Sequence, residues 1–224
     1  DVGRDSDGQD DKLSAYIKNV YVDWKAADKS GLFGNSKVSL GLIGANSYGI
    51  QEKNWGYRFI EKTLLDKYKM TNTADFGIGY SIKFSALKLS VQILNGEGYK
   101  KTDSDGKQAL YFSSVFGETN LSKNNGYNLG LILNLLHPID DNDDSMILMG
   151  LFGGLSLGKM RLGIEYNSYD KNISSLVEAS SISINYSLSD NLDLFVRNDN
   201  YKDPNMDKDS SYQIVGVVWK PTKG

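Results

Sequence analysis

Three features of the sequence predict an all-β fold: a transmembrane antiparallel up-and-down β-barrel, incomplete in this chain, with a short helix in one external loop. They are apolar side chains at every second position, strands of about ten residues, and connections that alternate between short and long. The alternation is plainest at residues 74–84, ADFGIGYSIKF, where Ala74, Phe76, Ile78, Tyr80, Ile82 and Phe84 are separated by Asp75, Gly77, Gly79, Ser81 and Lys83. A period of two gives a strand one dry face and one wet face.

Bulk composition narrows the class. The chain has 224 residues, suited to one all-β domain, and its mean hydropathy is −0.40. No run approaches the ~20 apolar residues of a membrane helix. Barrel strands show lipid only alternate side chains and so average out as polar. There is no cysteine, which excludes disulfides and thiolate metal sites. With 25 Lys and Arg against 28 Asp and Glu, the net charge of −3 gives no argument for nucleic acid as a partner. The chain starts at Asp1 without a signal sequence and is read as mature or partial, with an acidic extension over 1–11 and a barrel domain over 12–224.

Along the chain the pattern recurs at Val38–Leu42, 74–84, Leu87–Ile93, Tyr127–Leu135, Met160–Asn167, Ile182–Tyr186 and Leu192–Arg197. Less regular strands are expected at 12–25, 107–116, 145–153 and 210–220, about eleven in all. An odd count is unusual for a bacterial barrel, so a closing strand is expected beyond the last residues. Short connections at 84–86, 154–158 and 188–191 alternate with long polar ones at 95–107, 137–145, 168–175 and 200–210. Barrels do this, with short periplasmic turns and long external loops. A soluble β-sandwich is disfavoured by both strand length and loop rhythm. Aromatic girdles are expected from Tyr99, Tyr169, Tyr201 and Tyr212 externally, and from Phe84, Phe116 and Trp219 on the periplasmic side.

In two strands, 129–136 and 146–152, both parities are apolar, so something apolar must cover them from inside. Residues 57–68 are a candidate. Tyr57, Ile60, Leu64 and Tyr68 form one stripe of a predicted short helix, set against the inner wall near Ile132 and Ile147. Its other face would place Arg58 and Lys62 beside the pore; a plug, a partner segment or a helix capping the mouth are alternatives. Strand parity adds Asp75, Lys83, Lys88, Gln92, Arg161, Glu165, Asp193 and Arg197 as pore-lining residues. Arg161 and Arg197, placed towards the external end, are expected to set ion preference.

Residues 54–68 (NWGYRFIEKTLLDKY), 93–99 (ILNGEGY), 161–169 (RLGIEYNSY) and 194–201 (LFVRNDNY) resemble the phosphate-selective porin O and P-like family. The resemblance implies a porin of the Gram-negative outer membrane, in contact with lipid and lipopolysaccharide. It also implies a homo-trimer with an external loop folded into the lumen. Phosphate selectivity is not implied, because this chain has only four arginines, Arg4, Arg58, Arg161 and Arg197.

No residue pattern suggests catalysis, a cofactor or a metal. His137 is a lone histidine before Pro138, and the acidic stretches at 5–11 and 101–107 lack the spacing of a calcium loop. The expected function is passive diffusion of small hydrophilic solutes or ions, without enzymatic activity. The competing expectation is a non-conducting barrel that anchors a surface or periplasmic protein complex.

Overall fold

The computed structural model describes residues 2–4, 13–25, 35–100, 106–136, 146–170, 176–206 and 209–221. His137, the acidic stretch 5–11 and residues 101–105 lie outside the described residues. Two three-residue strands, β1 (Val2–Arg4) and β2 (Leu13–Ala15), pair with each other. The main sheet begins with β3 (Val20–Lys25) and β4 (Ser36–Gly44). Two short helices follow, α1 (Gly49–Trp55) and α2 (Leu64–Lys67). Then come β5 (Ala74–Phe84), β6 (Leu87–Leu94), β7 (Ala109–Gly117), β8 (Gly126–Leu136) and β9 (Met146–Leu157). The sheet ends with β10 (Met160–Asp170), β11 (Leu176–Ser189), β12 (Leu192–Lys202) and β13 (Ser210–Trp219).

From β3 to β13 each strand pairs antiparallel with its sequence neighbours, giving one sheet of eleven strands. The expected strand at 12–25 is split into β2 and β3, which belong to different sheets. The eleven-stranded sheet is not closed; β3 and β13 are its edges among the described residues. Turns at 85–86, 158–159 and 190–191, with the longer connection 118–125, lie at one rim. Residues 45–73 depart from the opposite rim, where the other connections that follow β5 begin and end. Gly158, with φ of 59°, takes the left-handed conformation that so short a turn requires.

Parity separates the two faces as the alternation demands. Phe76, Leu129, Met149, Ile164, Ile182 and Val215 are exposed on the outer face. Ile82 occupies an outward position of β5, as Phe76 does, and is nevertheless buried. No helix among the described residues is long and apolar enough to cross a membrane, but strands with an apolar outer wall can. We expect Leu131→Arg, at 41% exposure in the middle of β8, to cost ~2–4 kcal/mol of stability in a bilayer. The same change is expected to have little effect in detergent micelles. Equal refolding yields of variant and parent into lipid vesicles would place this face away from hydrocarbon.

The aromatic rims are half as expected. Phe84, Phe116 and Trp219 are exposed at the tight-turn rim, joined there by Tyr127 and Tyr186. At the opposite rim Tyr169 and Tyr201 are buried, because odd positions of β10 and β12 point inward. Tyr212 also lies on the inner side, with the Lys67 ammonium 3.5 Å from its ring centre. These tyrosines hold the interior together and do not form a girdle.

Candidate permeation site

Residues 45–73, between β4 and β5, lie across the inner face of the sheet. The expected continuous helix over 57–68 is not formed. Gly56 takes a left-handed φ of 82° and ends α1, and a turn in which the Ile60 N–H donates to the Tyr57 carbonyl (2.9 Å) precedes α2. A Cβ at Gly56 would fall 2.2 Å from the Arg161 guanidinium, so a side chain there would displace that group as well as strain the left-handed backbone. The apolar stripe survives without the helix, but it divides. Leu64 and Leu65 join Tyr48, Ile50, Met70, Ile132, Leu148 and Phe152 in one cluster. Tyr57 and Ile60 pack with Trp55, Phe195 and Val218 in another. Ile147 is not part of either; its odd position on β9 points outward, and it is 40% exposed. The doubly apolar strands β8 and β9 are thus covered from inside by the insert.

Polar bonds fix the insert strand by strand. Gln92 receives the Asn46 N–H (2.9 Å) and donates to the Gly44 carbonyl (2.9 Å). Asn54 and Asn128 exchange side-chain amide bonds of 2.8 Å each. The Trp55 carbonyl accepts from Arg161 (3.1 Å) and Asn185 (3.1 Å). The Tyr57 hydroxyl donates to Asp193 (2.6 Å). Burial, and then that bond to a carboxylate, pushes the Tyr57 hydroxyl above its ordinary range, so it remains a donor. Farther along, the Leu64 N–H donates to Glu165 (3.3 Å), and Lys67 pairs with Glu61 (3.3 Å) and Asp199 (3.2 Å). Tyr68 stacks on Tyr201 with ring centres 4.0 Å apart.

Several residues expected to line the pore therefore hold the insert or the wall instead. Arg197 is 1% exposed and binds Asp199 through Nε (2.7 Å) and a terminal nitrogen (3.0 Å). Positions 197 and 199 share a face of β12, so the arginine meets its carboxylate before it meets lumen water. Asp75 is buried, accepting from the backbone of Phe76 (2.8 Å) and Gly96 (2.7 Å), and so pins a loop. Gln92 and Glu165 are anchors of the insert. Asp193 is ion-paired with Lys220 as well as bonded to Tyr57. Arg161 lies two residues after the tight turn 158–159, at the rim opposite to the one expected. Lys83 is exposed at that same rim, opposite Lys88 in register.

Among the described residues, three of the cavities that border the insert carry charge far from the chain's overall balance. One, of about 240 Å³ between the insert and β4–β7, is lined by Lys37, Lys53, Lys88, Gln92 and several serines, with no carboxylate. A second, of about 610 Å³ at the tight-turn rim, holds Lys123, Lys159, Arg161 and Lys220 against Asp193. A third, of about 770 Å³ at the long-loop rim, holds Lys18, Arg58, Lys62, Lys69 and Lys100 against Asp66 and Glu97. Arg58 is partly neutralised there by Glu52 and by Asp66 (2.7 Å). Burial, and then the Arg58 guanidinium, hold the Lys18 ammonium below its ordinary range.

Lys37, Lys53, Lys123 and Lys159 were not singled out from the sequence. Lys37 is legible in hindsight, since it shares inward parity with Ser39. The others sit in the insert or in turns, where no strand period applies.

With this geometry in hand, comparison with known proteins is informative on one point. No family model matches the sequence, and no curated protein matches it. In three dimensions it is similar to the outer-membrane expressed OmpT of Vibrio cholerae, with a TM-score of 0.62 and 13% identity. The fold is that of an outer-membrane β-barrel. The match covers 92% of this chain and 66% of that one, so the chain spans about two thirds of OmpT's length. The likeness also overturns one expectation. Absence of enzymatic activity rested on missing sequence motifs alone. A shared barrel at 13% identity to OmpT admits an enzyme, so that exclusion is withdrawn.

Proposed function

We propose that the chain forms the wall and constriction of a porin in the bacterial outer membrane, passing small hydrophilic solutes by diffusion, anions in preference to cations. One observation supports this most. The insert crosses the inner face and leaves lysine-rich cavities at both rims, so a solute passing between them meets a mainly cationic surface. Basic groups in a narrow, low-dielectric passage raise the local concentration of anions. The short turns would face the periplasm and the long loops the exterior.

Lys53 and Lys88 are the residues that best test the charge argument, because both line the cavity that lacks a carboxylate. Lys37 in the same cavity is paired with Asp23 at 2.9 Å. Purified protein in a planar bilayer under a potassium chloride gradient is expected to show discrete channels with an anion-selective reversal potential. Lys53→Gln with Lys88→Gln is expected to move that potential towards cations. Folded protein that never conducts would instead favour a non-conducting barrel acting as scaffold or anchor, a reading that the close apolar packing of the insert also suits.

A further inference from the structure

We propose that the cavity at the tight-turn rim selects ring-bearing carboxylates, with Phe59 offering the surface on which the ring stacks and Arg161 the charge that holds the carboxylate. This rests on the porin reading above and names a substrate class for it.

The starting observation is an exposed phenylalanine in a segment that otherwise hides its aromatic rings. Tyr48, Trp55 and Tyr57 are all buried, whereas Phe59 is 76% exposed and lines the 610 Å³ cavity. Its ring meets Tyr57 edge-on at 6.0 Å, and Tyr57 is fixed by Trp55 on one side and by its bond to Asp193 on the other. Phe59 is therefore an apolar face turned to water beside a fixed neighbour.

Cations line the same cavity, and its one carboxylate is already engaged. The Arg161 guanidinium is held by the Trp55 carbonyl (3.1 Å) and lies 5.3 Å from the Tyr57 ring centre. Lys123 and Lys159 line the same space. Asp193, the one carboxylate there, is already taken up by Lys220 and the Tyr57 hydroxyl. An aromatic face beside cations recognises a solute that joins a negative charge to a ring with an apolar face, either an aromatic π-face or the C–H face of a sugar. A bare oxyanion would use the cations alone and leave Phe59 without a role. Aromatic acids and sugar acids both have this chemistry.

The test measures block of the ionic current through wild-type protein in planar bilayers, with benzoate, glucuronate or acetate added on the tight-turn side. At least one ring acid is expected to half-block the current at roughly a tenth of the acetate concentration, a factor that one good stacking contact supplies. Benzoate alone acting so would identify aromatic acids; glucuronate acting so would identify sugar acids. Phe59→Ala should remove the advantage of the ring, Phe59→Tyr should keep it, and Arg161→Gln should weaken block by every acid. Equal block by all three acids, or a Phe59→Ala channel that still favours the ring, in a protein that conducts and prefers anions, overturns this proposal and leaves the porin reading intact. Folded protein that does not conduct overturns both.

Discussion

Replacing Arg197 with glutamine is expected to lower thermal stability sharply while leaving ion preference unchanged. The guanidinium is 1% exposed, binds Asp199 through two nitrogens, and lies 5.1 Å from the centre of the Trp55 ring. Asp199 is 0% exposed, and its other partners are Ser181 (2.7 Å) and Lys67 (3.2 Å). Removing one partner of a buried pair leaves the other charge uncompensated, at a cost of ~3–5 kcal/mol. The Lys67 contact should keep the loss towards the lower end. Heat denaturation in detergent reads the first half of the expectation, and the reversal potential reads the second. Arg161→Gln supplies the contrast, since Arg161 lines the 610 Å³ rim cavity, whereas Arg197 borders only a pocket of about 20 Å³, and so should shift selectivity. An Arg197→Gln protein of normal stability with altered selectivity would put that side chain on the permeation path.

The second large effect concerns the insert itself. Leu64 and Leu65 are both 0% exposed and sit in the cluster with Ile132, Leu148 and Phe152. Truncating a buried leucine to alanine costs ~2–5 kcal/mol, through lost burial and the cavity left behind. Because these two side chains fasten the insert to β8 and β9, the double change Leu64→Ala with Leu65→Ala should loosen that segment before it disturbs the wall. The expected result is a larger single-channel conductance with frequent fluctuations between levels. Lower stability with unchanged, steady conductance would mean that the insert packs tightly without limiting the pore.

Much of the wall could be read directly. The strict period of two at 74–84 and 160–169 assigned Phe76 and Ile164 to the outside, and Asp75 and Glu165 to the inside, as the structure has them. Periodicity could not say what an inward residue would meet. Asp75, Glu165 and Arg197 are assigned to the inner face as Lys88 is, yet they end in contacts with backbone or partner charges, and Lys88 ends in a cavity. The helix expected over 57–68 failed for a related reason. Its spacing of three and four records which side chains become buried, and a turned segment on a concave wall can produce the same spacing as a helix.

By itself, then, the sequence determined the sheet, because a strand's side-chain alternation is a local property that each segment carries without reference to the others. It determined the apolar outer face and the rhythm of turns and loops for the same reason. Only the tertiary structure decided how the interior is filled: the insert across β8 and β9, the ion pair of Arg197 with Asp199, and the gathering of lysines into cavities in a chain of net charge −3. Those outcomes depend on which residues distant in the chain come within a few ångströms. Charge and burial are decided by that neighbourhood, and no local period in the sequence records it.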